Sequence, residues 1–314
     1  MKKRVAIALL SLFACSLFLT GCGGEDAGLS LGSTWNESQP ETYVYSLSHT
    51  KGTSTCGYEF HLTEGTYTTT LTTQQSDTEG KFYVYETVLT VTGTYTKGEE
   101  VIPFTDVTTT KTKTYGINSY SLFPKESERT LHQNSVFPKE DNSGFTVRAH
   151  DYQILSSYDY GKKKGEVSFH ALNGETGAYD LPVAGIPENR TYAKLPSGTF
   201  FDNDAMLFVF RAFELAPAFS TEFTTVDTVN AKKVKMYLSA DSAITQRNYT
   251  IAGVNTPLDV IKLTARMNAG ASSGQPFTMY YAPLEGQNVR NVLTELTTTL
   301  PYGMGTLTYS LVAM

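Results

Sequence analysis

The sequence contains few of the residues on which catalysis, redox chemistry and metal binding usually depend. Its 314 residues include three cysteines and five histidines, and charged residues make up 18% of the chain. It contains no phosphate-binding loop, and no histidine has a second ligand at metal-binding spacing. The sequence therefore predicts no cofactor, no metal site and no catalytic residue.

Cysteine is too scarce to cross-link the mature chain. Cys15 lies in a segment that we expect to be removed, and we expect Cys22 to carry lipid, which leaves Cys56. A single thiol cannot form an intrachain disulfide. We expect Cys56 to be a buried, small apolar side chain, and a reactive thiol is the alternative.

Positive charge is also in short supply. Lysine and arginine number 25 against 31 aspartates and glutamates, which gives a formal net charge of −6. An acidic chain repels a phosphate backbone, so we expect no nucleic-acid partner. A hydrophobic content of 40% is typical of a folded globule.

The N-terminus carries the most specific signal in the chain. A basic start is followed by an apolar stretch, residues 5–19, that is shorter than a membrane span. The motif Leu19-Thr20-Gly21-Cys22 then resembles the bacterial lipobox, in which the cysteine is acylated and becomes the new N-terminus. We predict a signal peptide over residues 1–21 and a lipidated flexible tether over residues 22–42. An ordinary secretory signal with a chance cysteine is the alternative.

Lipidation of Cys22 would place the protein in the cell envelope, on the extracytoplasmic side of a membrane. Several palmitate-type acyl chains on one residue anchor a protein stably, because each buried methylene contributes ~0.8 kcal/mol. Gly23 follows the cysteine in place of an aspartate, which favours the outer membrane if the cell has two membranes.

From residue 43 onward the apolar residues recur with a period of two. The segments are rich in Thr, Tyr and Phe and are separated by glycine-containing turns, which predicts an antiparallel meander. Threonine at alternate positions suggests that one face of the sheet is solvated. No linker divides residues 43–314, so we predict a single β domain. Two sub-domains that divide near residue 165 are the alternative.

One segment departs from the β pattern. Residues 203–215 are apolar on nearly every side, and Asp202 or Asn203 can cap a helix that Pro217 would end. A helix that is apolar all round is buried all round. We therefore predict a mainly β fold, in which a large curved antiparallel sheet, an open half-barrel, wraps around one buried helix. Arg211 should contribute less to stability than the aromatic residues beside it.

Two classes of function are compatible with this fold. The first is a non-catalytic, membrane-anchored protein whose concavity binds an apolar ligand or an envelope partner. The candidate lining residues are Phe201, Met206, Phe210 and Phe213, and the favoured alternative is that all four are plain core. The alternative is a cell-wall hydrolase with a site assembled from distant carboxylates ~5–10 Å apart.

The order of motifs resembles a family of uncharacterised bacterial envelope proteins. The motifs are Ser-Tyr-Ser-Leu-Phe-Pro at residues 119–124, Phe-Asp-Asn-Asp-Ala-Met-Leu-Phe at 201–208, Phe-Thr-Met-Tyr-Tyr-Ala-Pro at 277–283 and Tyr-Gly-Met-Gly at 302–305. The layout is similar to that of the outer-membrane lipoprotein carriers of the Lol system. This resemblance implies an open half-barrel around a helix, an apolar concavity for acyl chains and no catalytic residues. It also implies that the helix could be a lid rather than core.

Overall fold

The computed structural model describes residues 38–116, 122–139, 141, 143–172, 189–192, 195, 200–213, 215–227, 232–268, 276–284 and 290–314. The predicted signal peptide, Cys22 and the tether up to residue 37 lie outside the described residues. Within the described ranges, no helix has the length and hydropathy needed to cross a bilayer.

The described residues form fifteen strands in one sheet. The strands are β1 (Glu41–Lys51), β2 (Glu59–Ser76), β3 (Gly80–Lys97), β4 (Glu100–Tyr115), β5 (Pro124–Pro138), β6 (Phe145–Asp159), β7 (Lys164–Ala171), β8 (Asn189–Tyr192), β9 (Phe200–Asp202), β10 (Ser220–Asp227), β11 (Lys232–Ile251), β12 (Val254–Asn268), β13 (Phe277–Leu284), β14 (Arg290–Thr299) and β15 (Gly305–Ala313).

The strand order shows how the chain builds the sheet. The order is β8-β7-β6-β5-β4-β3-β2-β1-β15-β14-β13-β12-β11-β10-β9, so each half of the chain forms one wing, and β1 and β15 join the wings. Neighbouring strands are antiparallel except for β9, which pairs parallel to β10. The predicted large open β sheet is confirmed, with one parallel pair that the meander pattern did not predict.

The predicted helix is confirmed in position but is shorter than expected. A 3-10 turn spans Asn203–Ala205, and α1 spans Met206–Phe210. The Asn291 amide donates to the carbonyls of Arg211 and Phe213 at 3.2 and 2.8 Å. These carbonyls are therefore satisfied without another helical turn, and aromatic and β-branched residues add little helix propensity.

Residues 200–213, which we call the plug, lie against one face of the sheet, and we call this face the inner face. Side chains alternate between the two faces with a period of two. In β4 the inner positions include Thr108, Thr110, Thr112 and Thr114, each at most 9% exposed. The expectation that the threonine-rich face is solvated is therefore wrong for this strand, because the plug and the neighbouring strands cover it.

The two ends of the sheet overlap instead of joining. Phe200 of β9 contacts the ring of Tyr158 in β6, with centroids 5.8 Å apart. Phe200 and Val226 belong to the same buried cluster as Leu131 and Ile154 on the other wing. The edge strand β9 thus lies against the inner side chains of β5 and β6, and this overlap positions the plug. Elsewhere in the core, Cys56 is buried as expected, at 5% exposed.

Candidate functional site

The four residues predicted to line an apolar cleft lie together in the core. Phe201, Met206 and Phe210 are 0% exposed, and Phe213 is 1% exposed. The three phenylalanine rings surround Phe223 of β10, with centroids 5.3, 6.1 and 5.7 Å from its ring. In this arrangement their contacts are with the protein's own side chains.

A polar seam joins the start of the plug to the opposite wing. One carboxylate oxygen of Asp202 accepts hydrogen bonds from Ser127 Oγ at 3.1 Å, Ser156 Oγ at 3.1 Å and Tyr158 OH at 2.6 Å. Its other oxygen accepts from the backbone N–H of Asp204 at 2.8 Å, which confirms the predicted helix cap. Burial raises the pKa of Asp202, and the three hydroxyl donors oppose that rise.

An ion pair closes the same seam. The guanidinium of Arg129 in β5 contacts the carboxylate of Asp204, and the two side chains are 3% and 1% exposed. Removing one partner of such a pair leaves a buried charge uncompensated, which is strongly destabilising. The start of the plug is therefore fixed to β5 by directional contacts.

A second ion pair holds the end of the plug. Arg211 Nη2 lies 2.7 Å from a carboxylate oxygen of Glu41, the first residue of β1, and these side chains are 5% and 6% exposed. Tyr43 OH donates to the same oxygen at 3.1 Å, and the Arg211 guanidinium lies over the Tyr43 ring. Arg211 Nε also donates to the Asn291 carbonyl at 3.0 Å. Arg211 is therefore a buried link between the plug and two strands, which the sequence did not predict.

These contacts engage the carboxylates of the concavity within the protein. The carboxylates of Asp202, Asp204 and Glu41 each accept from groups of the protein itself. Among the described residues, no three His, Cys, Asp or Glu side chains lie close enough together to hold a metal ion. The arrangement is suited to holding the plug in place.

An open groove lies on the other face of the sheet. Its volume is about 830 Å³, and it runs across β4 to β7 with Gln74 and Val84 at one side. The remaining lining residues are Lys111, Lys113, Glu126, Ser127, Glu128, Leu155, Ser156, Ser157, Glu166, Val167 and Ser168. Of these residues, Ser127 and Ser156 turn their hydroxyl groups to the inner face. Most of the others have charged or hydroxyl-bearing side chains, and none of the four predicted cleft residues is among them.

The groove's charges are arranged by strand register. Lys111 pairs with Glu128, and Lys113 with Glu126, as cross-strand neighbours of β4 and β5. Lys113 Nζ lies 3.9 Å from Glu126, and the Gln153 amide donates to Glu128 at 2.7 Å. Opposite charges on facing strand positions stabilise a sheet. In the sequence, these facing charges correspond to Lys111 and Lys113 on β4 and to Glu126 and Glu128 on β5, and the members of each pair are two positions apart in the chain.

Comparisons with known proteins give no family for this chain. No family model and no curated protein matches it. Among solved structures, the fold is similar to a β-barrel-like protein from Brucella abortus that belongs to a domain of unknown function, DUF1849. The two are 13% identical with a TM-score of 0.44, and the match covers 88% of this chain and 98% of the other.

Proposed function

We propose that this protein is a lipid-anchored, non-catalytic protein of the cell envelope that binds a polar envelope partner in its outer groove. The observation that supports the proposal is the contrast between the two faces of the sheet. The inner face is covered by the plug, whose described side chains are buried, whereas the groove on the outer face is open. The lipobox-like motif at Cys22 supports the anchor.

An apolar ligand in the concavity is less well supported than a partner in the groove. Such a ligand would have to displace the plug, which includes Phe201, Phe208 and Phe210 at 0% exposure. Re-exposing each large apolar side chain costs ~1.5–3 kcal/mol, and the two buried ion pairs would separate as well. We therefore place the binding surface on the face that needs no rearrangement.

Anchoring is tested by partitioning of the full chain into the detergent phase. We expect the wild-type chain to enter the detergent phase and Cys22→Ser to remain in the aqueous phase or unprocessed. Equal partitioning of both chains would contradict the anchor.

Groove binding is tested separately by a photo-crosslinker at Ser157, an exposed residue of the groove. In intact cells we expect a discrete crosslinked product that Glu126→Lys or Glu128→Lys abolishes, because the partner would meet reversed charge. Glu64→Lys, at an exposed position of β2, serves as the matched control and should retain the product. Crosslinking that is insensitive to charge at Glu126 and Glu128 would contradict a groove partner.

A further inference from the structure

The topology gathers particular ends of the strands at one rim of the sheet. The chain enters β1 at Glu41, and each antiparallel neighbour reverses direction. The rim at the start of β1 therefore also carries the β2–β3 turn, the start of β5, the β6–β7 turn, the β11–β12 turn and the end of β15. We call this the near rim, because the predicted tether joins the sheet there. The far rim carries the described turn residues at 52–58, 98–99, 139, 141, 143–144 and 300–304.

The two rims differ in charge on the wing formed by β1 to β7. The near-rim residues 76–81, 122–125 and 159–164 contain five lysines, Lys81, Lys125, Lys162, Lys163 and Lys164, and three acids, Asp77, Glu79 and Asp159. Described far-rim residues at 51–59, 97–100 and 139–144 contain Lys51, Lys97 and Lys139, and the acids Glu59, Glu99, Glu100 and Asp141. Over these described ranges, the near rim has an excess of two positive charges and the far rim an excess of one negative charge.

The strand register shows how far the near rim extends toward the tether. Glu41 is aligned through neighbouring strands with Leu71 in β2 and Ser156 in β6. Both strands continue beyond this row, β2 to Ser76 and β6 to Asp159, before their turns. At ~3.3 Å per residue these tips extend roughly 10–20 Å past the point where the tether begins. A coil of the tether's length spans ~25 Å, which is longer than this extension. The strand tips can therefore reach the membrane surface while the anchor holds the chain.

Exposed apolar side chains lie on the same rim. Val254, at the β11–β12 turn, is 64% exposed, and the C-terminal Met314 is 58% exposed. The β11–β12 turn is joined to the end of β15, because the Ala252 N–H donates to the Val312 carbonyl at 2.8 Å. These apolar side chains lie on the other wing from the lysines, and a lipid–water interface accommodates both apolar and basic side chains.

We propose that the near rim lies against an anionic lipid surface, with Lys162, Lys163 and Lys164 of the β6–β7 turn in contact with the headgroups. This inference rests on the proposed lipid anchor, and it adds an orientation: the far rim points away from the membrane. The three lysines are exposed, and Lys162 keeps 78% of its side chain accessible although it pairs with Asp159. Juxtamembrane lysines are attracted to anionic lipid, and salt weakens that attraction.

The test is lysine acetylation of the full lipidated chain, reconstituted in vesicles of phosphatidylglycerol and phosphatidylcholine. We expect peptides containing Lys162, Lys163 and Lys164 to be protected about fivefold relative to those containing Lys97 and Lys139 of the far rim. Protection should disappear in high salt and in vesicles of phosphatidylcholine alone. Equal labelling of the two rims in anionic vesicles would overturn the proposal.

A matched pair of variants separates local charge from general membrane proximity. Lys163→Glu combined with Lys164→Glu should remove most of the protection at Lys162, whereas Lys97→Glu combined with Lys139→Glu should leave it unchanged. Loss in both variants, or in neither, would contradict a rim-specific contact. Failure of the anchor has a different signature: the chain would not sediment with the vesicles, and Cys22 would carry no acyl mass. That result would overturn the anchor and the membrane-facing rim together, whereas equal labelling on sedimented vesicles overturns the rim alone.

Discussion

The inner face of the half-barrel carries buried polar side chains on β4 to β6, among apolar ones such as Leu131 and Ile154, and is mainly apolar on β12 to β15. On β4 to β6 the buried inner residues include Thr112, Ser127, Arg129 and Ser156, whereas on β12 to β15 they include Leu263, Met279, Leu296, Leu307 and Tyr309. The plug contacts both wings. Apolar contact is non-directional, and it scales with the area removed from water. Hydroxyl and guanidinium contacts depend on distance and angle. The apolar contacts therefore supply free energy of folding, and the polar contacts on β4 to β6 fix where the overlapping edge of the sheet lies.

The apolar contribution should give the largest single effect. Phe208 is 0% exposed, and its ring stacks on that of Tyr85 with centroids 5.6 Å apart. We expect Phe208→Ala to lower the free energy of unfolding by ~3–5 kcal/mol, because the cavity adds to the lost burial. Val88→Ala, at a side chain that is 44% exposed, is the control and should change stability by less than ~0.5 kcal/mol. A loss below ~1 kcal/mol at Phe208, measured by chemical denaturation, would show that the plug is not core.

The second ion pair should give the next largest effect. Arg211→Met leaves the Glu41 carboxylate buried without its guanidinium, and we expect a loss of ~3 kcal/mol in the free energy of unfolding. Adding Glu41→Gln removes the uncompensated charge while Tyr43 keeps an acceptor, so the double variant should recover much of that loss. If the double variant is as unstable as Arg211→Met, the link acts through packing rather than through charge.

Arg211 also shows which contacts could not be predicted from the sequence. The period of two, the threonine and tyrosine content and the glycine turns predicted the β sheet, and Asp202 predicted the start of the helix. The partner of Arg211 is Glu41, 170 residues away, and no local pattern connects them. The helix length was also out of reach, because Asn291 reaches the plug from β14. Likewise, Ser127, Ser156 and Tyr158 come from two strands, and only the overlap of the sheet ends brings them to Asp202.

Asp106 makes the contribution of the polar strands to stability depend on pH. This carboxylate on the inner face of β4 accepts from the backbone N–H and the side-chain amide of Asn134 at 2.8 and 3.0 Å. Burial is the main cause that raises its pKa from 3.8 to about 7. Between pH 3.8 and about pH 7, the Asp106 carboxyl group is ionised in the unfolded chain and protonated in the folded chain. Stability should therefore fall as pH rises through this window, by at most ~1.4 kcal/mol per pH unit, and then stay level above it.

The Asp106→Asn variant tests this effect directly. The variant carries no proton to lose, so its stability should exceed that of the wild type increasingly between about pH 4 and pH 7. Denaturation of both chains at several pH values measures the difference, in which contributions from other titrating groups cancel. Parallel pH profiles for the two chains would mean that Asp106 ionises equally in the folded and unfolded states.

Loss of the Tyr158 hydroxyl should give the smallest decrease in stability. It tests whether a hydrogen bond in the polar seam is stronger than an ordinary one because its acceptor is charged. Its hydroxyl donates to the Asp202 carboxylate at 2.6 Å, while the nearby Tyr160 hydroxyl donates to the Pro124 carbonyl at the same distance. Hydrogen bonds to a charged group contribute ~1.5–3 kcal/mol and neutral ones ~0.5–1.5 kcal/mol. We expect Tyr158→Phe to cost about 2 kcal/mol and Tyr160→Phe about 1 kcal/mol. In an Asp202→Asn background the two losses should converge, because the acceptor is then neutral in both cases. Equal losses in the wild-type background would mean that Asp202 accepts as a neutral acid, and the seam would then position the plug through geometry without a charge.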